Sequence, residues 1–102
     1  MNFKRADRVG ELIMAEMSDI LLRSVKDPRL HAVTITAVKV TDDLRNAKIY
    51  FVEMGKDELN EEIQAGLTRA RGFVRRELGH RLQLRFVPEI LFVHDKSFGY
   101  GN

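Results

Sequence analysis

The sequence predicts a single α+β domain in which helices cover one face of a three-stranded sheet. Three observations support this fold class. The chain has 102 residues, enough for one hydrophobic core without cross-links. Apolar residues recur at helical spacing in two long segments and at alternate positions in three shorter ones. Glycines interrupt the second helical segment, so the predicted order is helix, strand, strand, helix, helix, strand.

The first predicted helix extends from about Lys4 to Arg23. Asp7 near its start and Arg23 near its end have the signs of charge that the helix dipole favours. Pro28 biases the residue before it away from helical geometry, so we expect the helix to end ahead of it. The apolar stripe consists of Val9, Leu12, Ile13, Met17, Ile20 and Leu21.

Two strands joined by a turn are predicted next. In segment 33–40 apolar and polar residues alternate, and the phase shifts by one residue after Ala37, which indicates a β-bulge there. The second strand covers 47–54. Residues 41–46 between them have the composition of a turn, so we expect an antiparallel hairpin.

The second helical segment, from Asp57 to Leu82, has an acidic opening and three internal glycines. The acids at 57–62 suit the positive end of a helix dipole, and a Mg²⁺ site is the alternative interpretation of the cluster. One helix over the whole segment would be long for this domain, and each interior glycine weakens a helix by about 1 kcal/mol relative to alanine. The sequence therefore predicts two helices that meet near residues 70–72.

The last strand is predicted over Gln83–His94. Pro88 cannot donate a ladder hydrogen bond, which favours an edge position or a bulge. Residues 96–102 are rich in glycine and are expected to be a frayed C-terminus of the single domain 1–102. One face of the strand is expected to carry Leu84, Phe86, Pro88, Ile90 and Phe92.

Positive charge is concentrated in one segment. The net charge is only +2, but residues 69–85 contain six arginines and one acid, whereas the rest of the chain has 11 basic and 14 acidic residues. Arginine presents a planar fork of donors that matches phosphate, so the segment favours nucleic-acid binding. A solvated helix face is the alternative interpretation.

The arginines surround the bend predicted at Ala70-Arg71-Gly72. Small residues at a bend let a nucleic-acid backbone approach closely and expose N–H groups at a new helix start. Packing of Gly72 against the sheet is the alternative. The predicted RNA-binding residues are Arg69, Ala70, Arg71, Gly72, Arg75, Arg76, Arg81 and Arg85, with Lys4, Arg5 and Arg8 as a second basic patch.

Known catalytic and cofactor motifs are missing from the sequence. Cysteine is absent, which excludes a thiol nucleophile, a disulfide scaffold and Cys-ligated metal. A phosphate-binding loop needs a glycine where Tyr50 stands, five residues before the Gly55-Lys56 pair. The three histidines have no partner at metal-ligand spacing. His94 and Asp95 would point to opposite faces of a strand, so we expect no triad with Ser97.

We therefore expect no enzyme activity, no metal or other cofactor and no small-molecule substrate. No apolar run approaches the roughly 20 residues that a membrane-spanning helix needs, and the N-terminus lacks a signal-peptide pattern. The expected location is the cytoplasm, with no membrane partner.

The layout resembles the KH class of RNA-binding domains, in which a GxxG loop between two helices clamps the nucleotide backbone. This sequence has Ala70-Arg71-Gly72 at the corresponding bend. Local strings over residues 5–98 resemble bacterial ribosome-binding factor A in their order and spacing. They are Arg8-Val9, Lys26-Asp27-Pro28-Arg29-Leu30, Asp43-Leu44, Ala47-Lys48-Ile49-Tyr50, Ala70-Arg71-Gly72-Phe73-Val74-Arg75, Glu77-Leu78, Leu84-Arg85, Pro88-Glu89-Ile90 and Phe92 with Asp95.

The resemblance implies a type II KH-like domain with an Ala-x-Gly kink in place of GxxG. It also implies binding to the immature small ribosomal subunit through its rRNA, and a role in late maturation, rRNA processing and growth at low temperature. No feature of the sequence indicates an oligomer, so we expect a monomer. The alternative hypothesis is a protein-interaction module whose basic face binds an acidic protein partner, with exposed Tyr50 or Phe98 as anchors.

Overall fold

A three-stranded sheet carries two helices on one face in the computed structural model, which describes residues 4–99. This arrangement confirms the predicted α+β class. In chain order the elements are α1 (Arg5–Asp19), a π-helical turn (Ile20–Ser24), a 3₁₀ helix (Pro28–Ala32), β1 (Val33–Val40), β2 (Asn46–Glu53), α2 (Glu61–Leu82) and β3 (Glu89–His94).

The sheet is mixed, with β2 in the centre. β1 pairs with β2 as the expected antiparallel hairpin, and its register shifts between Ile35 and Ala37, at the position of the predicted bulge. β3 pairs with β2 in parallel, so the chain must cross over between them, and α2 makes this crossover. Pro88 immediately precedes β3, which lies at an edge of the sheet, where a missing N–H donor is tolerated.

The core lies between the helices and the inner face of the sheet. Burial of each large apolar side chain stabilises the fold by roughly 1.5–3 kcal/mol. The central strand contributes Ala47, Ile49 and Phe51, none more than 1% exposed. The helices and β3 contribute Ile13, Met17, Ile20, Leu21, Ile63, Leu67, Val74, Leu78, Ile90 and Phe92.

The structure corrects the predicted break in the second helical segment, because α2 is one continuous helix through residues 70–72. It also begins at Glu61 rather than at Asp57. The side chain of Asn60 defines this start, since its Oδ1 accepts hydrogen bonds from the backbone N–H groups of Glu62 (3.0 Å) and Ile63 (3.4 Å).

Two of the glycines in α2 have a packing role that the sequence pattern does not reveal. A Cβ on Gly66 would lie 3.2 Å from both Asp27 Oδ2 and Leu30 Cδ2, and one on Gly79 would lie 3.1 Å from Val87 Cγ2. These glycines let α2 approach neighbouring segments closely. Burial of the apolar stripe then stabilises the helix more than its glycines weaken it, so it is not interrupted.

The predicted start of the last strand was wrong by six residues. Gln83 adopts a left-handed conformation with φ of 51° at the end of α2, and residues 83–88 form a loop that leads back to the start of β2. As a consequence Phe86, expected on one strand face together with Ile90 and Phe92, lies in the loop and is 79% exposed. Within residues 4–99 no helix has both the length and the apolarity to span a bilayer.

Candidate nucleic-acid interface

The solvent face of α2 carries exposed arginines. Arg69, Gly72 and Arg76 follow at spacings of three and four residues, so they lie on one side of the helix, opposite the buried stripe. Within residues 4–99 neither Arg69 nor Arg76 forms an ion pair. Arg71, also exposed, donates from Nε to the backbone oxygen of Thr68 at 3.2 Å. Hydrogen bonds from Arg29 lower the pKa of Asp27, and the charge of Arg69 also helps to lower it. The guanidinium groups of Arg71 and Arg76 are therefore available to an anion, and that of Arg69 is available but partly offset.

Gly72 differs from the packing glycines of the same helix. It is exposed, and an added Cβ would meet only the flexible guanidinium of Arg76, at 4.0 Å. The alternative that Gly72 packs against the sheet is therefore wrong. An exposed glycine in a helix interior costs about 1 kcal/mol relative to alanine, and here no contact within the fold compensates. The helix backbone at Gly72 is therefore exposed between Arg69 and Arg76, neither of which makes an ion pair with the residues described.

Arg81, one of the predicted RNA-binding residues, lies at the seam between the two helices. Its Nη1 donates to Asp19 Oδ2 at 2.7 Å and to Glu16 Oε1 at 3.2 Å, and its Nη2 donates to Ser24 Oγ at 3.1 Å. Glu77 adds a third carboxylate at 3.5 Å. Asp19 first, and then Glu16, raise the pKa of Arg81. Its charge is balanced inside the fold, and it joins the C-terminal end of α2 to α1.

Arg75 supports the loop that follows α2. Its Nε donates to the backbone oxygen of Pro88 at 3.1 Å and its Nη2 to that of Val87 at 2.9 Å. The remaining nitrogen, Nη1, lies 3.6 Å from Glu89 Oε1. Two of its three nitrogens therefore hold backbone carbonyls, which fixes the course of residues 83–88 relative to the helix.

An open cleft of about 690 Å³ lies where this loop, the hairpin turn at 43–45 and the start of α1 come together. It unites three predicted RNA-binding residues, Arg5, Arg75 and Arg85, that are far apart in the sequence. It also includes Arg45 and Phe86, which no pattern in the sequence indicates as site residues. Arg45 stands alone among turn residues, and no local pattern distinguishes an exposed phenylalanine from a core one.

The rest of the second basic patch lies around the first turn of α1. Lys4 is exposed and its Nζ is 3.7 Å from Asp42 Oδ2 on the hairpin turn. Arg8 is exposed as well, with no ion pair to any residue of the range 4–99. Arg8 thus offers a free charge, whereas that of Lys4 is partly offset.

The residues that suggested a triad do not form one. The Ser97 hydroxyl donates directly to Asp95 Oδ1 at 2.6 Å, and Thr36 Oγ1 donates to Asp95 Oδ2 at 2.6 Å. These bonds, with that from Ser97 first, lower the pKa of Asp95. His94 instead packs edge to face on Phe51, with 5.8 Å between ring centroids. The carboxylate therefore fastens the end of β3 across the sheet to β1.

The cluster of acids at 57–62 lies in the loop before α2 and in its first turn, where Glu61 and Glu62 face the positive end of the helix dipole. Among residues 4–99 no group of three or more His, Cys, Asp or Glu side chains has the arrangement of a metal site.

The sequence model of a known family, described as ribosome-binding factor A, matches residues 5–102. The chain belongs to the ribosome-binding factor A family. Among the relatives of that name, the protein of Syntrophus aciditrophicus is 56% identical over 100 residues, which cover 98% of this chain and 81% of the relative. That of Syntrophobacter fumaroxidans is 54% identical over 104 residues, covering 100% of this chain and 89% of the relative.

Solved structures of this family share the fold. The crystal structure of ribosome-binding factor A from Thermus thermophilus matches with a TM-score of 0.75 at 20% identity, over 87% of this chain and 94% of that chain. Coordinates of the Thermus thermophilus protein fitted into the cryo-EM map of a 30S complex match with a TM-score of 0.66 at 22% identity, over 86% and 97%. The fold is KH-like, as the resemblance implied.

Proposed function

We propose that this protein binds the immature small ribosomal subunit through its rRNA and assists late maturation, including rRNA processing and growth at low temperature. Membership of the ribosome-binding factor A family supports this proposal, as does the related Thermus thermophilus protein fitted into the map of a 30S complex. The observation that carries it is the solvent face of α2, where unpaired arginines flank an exposed glycine.

On this face the arginines neutralise phosphates, and Gly72 lets the RNA backbone come close to the helix. Arg69 and Arg76 on this face, and Arg71 on the neighbouring side of the helix, are the proposed phosphate ligands, because these residues are exposed. Gly72, which has no side chain, lies between Arg69 and Arg76, whereas Ala70 packs against the core from the same helix. Arg8 adds an exposed positive charge on α1.

Arg81 and Arg75 support the interface indirectly in this proposal. Arg81 holds the two helices together, and Arg75 holds the loop at 83–88, so both fix the positions of residues that contact RNA. The protein acts by occupying its site on the subunit, as a monomer in the cytoplasm, without a reaction, a cofactor or a small-molecule substrate.

Sedimentation of purified protein with ribosomal particles tests this function. We expect co-migration with free small subunits and not with fully assembled ribosomes. If about five phosphates are contacted, the logarithm of the affinity should fall with the logarithm of salt concentration at a slope of roughly −4. Absence from the small-subunit fraction, or an affinity that does not change with salt, would contradict the proposal.

Sedimentation with ribonuclease-treated particles distinguishes RNA from an acidic protein as the partner. Of the two aromatic anchors that a protein interface would use, Tyr50 is half-buried on the sheet and Phe98 is 42% exposed. Binding to subunits should be abolished by prior ribonuclease treatment of the particles. Binding that survives digestion of the rRNA would favour the acidic protein partner instead.

A further inference from the structure

The open cleft beside β3, here called the Phe86 cleft, has a positive rim and an apolar floor. Its volume of about 690 Å³ is within the usual range of small-ligand pockets, roughly 300–1,000 Å³. Four arginines and two carboxylates line it, a net charge of +2. The lining residues are Arg5, Val9, Asp43, Leu44, Arg45, Arg75, Leu84, Arg85, Phe86, Val87, Pro88 and Glu89.

Three of the four arginines keep their charge unpaired. Arg5, Arg45 and Arg85 are exposed and make no ion pair with any residue between 4 and 99, whereas Arg75 is engaged by the loop and by Glu89. The carboxylate of Asp43 accepts hydrogen bonds within its own turn from Thr41 Oγ1 (2.7 Å) and from the backbone N–H of Arg45 (3.0 Å). It keeps its negative charge and attracts Arg45, so the rim retains the net charge of +2 and Arg5 and Arg85 are the arginines least offset.

Phe86 presents a flat aromatic surface at the mouth of the cleft. It is the most exposed of the large apolar side chains between residues 4 and 99, at 79%. The guanidinium carbon of Arg85 lies 5.9 Å from the centroid of its ring, within the range of a cation–π contact. Arg85 lies over one face of the ring, and the other face of this largely exposed side chain is a surface on which a nucleobase stacks.

The hairpin turn holds its side of the cleft in a conformation that L-residues rarely adopt. Leu44 has φ of 63°, and its backbone N–H donates to Thr41 O at 2.8 Å. Such a left-handed residue costs energy that the surrounding structure must offset, and it is found preferentially where a ligand site requires it. Here it places half-buried Leu44 in the cleft wall, between Asp43 and Arg45.

We propose that the Phe86 cleft binds one unpaired nucleotide of single-stranded RNA. The base stacks on the Phe86 ring, and the adjoining phosphates pair with Arg5 and Arg45. The proposal rests on the proposed function for its source of RNA, and it adds a second contact to the phosphate-binding face of α2. A duplex does not fit, because its base faces are covered by neighbouring pairs, and an acidic peptide would leave the exposed ring without a stacking partner.

Fluorescence anisotropy with two probes tests the proposal: an unstructured RNA 12-mer and the same strand in a duplex. Phe86→Leu keeps an apolar side chain but removes the aromatic face, and should weaken single-strand binding about tenfold, the order of one base–aromatic contact. Phe86→Trp should stay within twofold of the original protein. Affinity for the duplex should not change in either variant.

Met54→Ala is the matched control, since Met54 is another exposed apolar side chain, at 65%, beyond the opposite end of β2. It should leave single-strand binding unchanged. Thermal unfolding of the Phe86 variants should match the original protein, because the side chain is largely in solvent. A Phe86→Leu protein that binds the 12-mer normally, or that loses single-strand and duplex binding equally, overturns the proposal.

Two competitors identify the occupant. Adenosine monophosphate should displace the 12-mer only weakly, because it lacks the neighbouring phosphates. Tight binding of this free nucleotide would mean that RNA is not the ligand, and equal competition by a poly-glutamate peptide would assign the cleft to an acidic protein.

The two measurements show separately whether the cleft proposal or the proposed function is wrong. If the protein does not bind small subunits but Phe86→Leu still weakens 12-mer binding, the proposed function is wrong and the proposal for the Phe86 cleft is supported. If subunits bind normally and Phe86→Leu has no effect on the 12-mer, the cleft fails alone.

Discussion

Arg76 and Arg81 are five residues apart on α2, but their surroundings in the fold differ. Arg76 is exposed and makes no ion pair with the residues described, whereas Arg81 is surrounded by three carboxylates, Glu16, Asp19 and Glu77. Both contribute equally to a charge count over the sequence. Only an arginine without an internal ion pair offers its full charge to a binding partner. A paired arginine such as Arg81 instead holds the two helices together.

The largest effect should come from removing free charge. Arg69→Gln with Arg76→Gln should weaken small-subunit binding by roughly tenfold per lost phosphate contact at 0.1 M salt, because each contact contributes about 0.9 to the salt slope. Arg23→Gln is the control: Arg23 is exposed but paired with Asp19 at 2.8 Å. Binding measured by sedimentation should fall only in the double variant, and equal losses in both proteins would remove the distinction between free and paired arginines.

Arg81→Gln should show the opposite pattern. The change leaves the carboxylates of Glu16, Asp19 and Glu77 close together without their common cation, so the two helices should separate more easily. We expect a midpoint of thermal unfolding lowered by several degrees. Affinity for small subunits, measured well below that midpoint, should change less than twofold. A loss of affinity as large as that of the Arg69 and Arg76 variant would place Arg81 at the interface.

The glycines of α2 give a smaller contrast of the same kind. Gly72→Ala should stabilise the protein by about 1 kcal/mol, because the added methyl group meets open space, while weakening RNA binding a few fold. Gly66→Ala should destabilise it, because its Cβ would lie 3.2 Å from Leu30 Cδ2. Denaturant unfolding measures both. If Gly72→Ala leaves binding intact, close approach of the RNA backbone at this point is not required.

The smallest expected effect is a dependence of stability, but not of RNA binding, on pH. Hydrogen bonds from Ser97 and Thr36 lower the pKa of Asp95 below its ordinary value of 3.8, so the stabilisation is complete above pH 4 and is lost as the pH falls through the folded pKa. Asp95→Asn should flatten the dependence of the unfolding midpoint on pH below 4. Arginine keeps its charge throughout, so RNA binding by folded protein should not follow this change. An equally steep dependence in Asp95→Asn would assign the acid sensitivity to other carboxylates, such as Asp27.

Local patterns were sufficient for much of the fold. Alternation in segment 33–40 located the bulge, because side chains on a strand alternate faces and a slip in phase has one simple cause. The stripe of α1 and the composition of the hairpin turn likewise determined their elements. These features depend on neighbours within a few residues, and the sequence displays those neighbours directly.

The tertiary structure decided the rest. Packing against the sheet kept α2 continuous through its glycines. The loop at 83–88 removed Phe86 from the strand face predicted for it and made it the most exposed large apolar side chain between residues 4 and 99. Glu16, Asp19 and Ser24, which accept hydrogen bonds from Arg81, lie 65, 62 and 57 residues away, so no spacing rule identifies them. The sequence by itself determined that positive charge is concentrated near this helix. Which arginines are free was decided only when distant carboxylates came together in the fold, because ion pairing depends on distance in space.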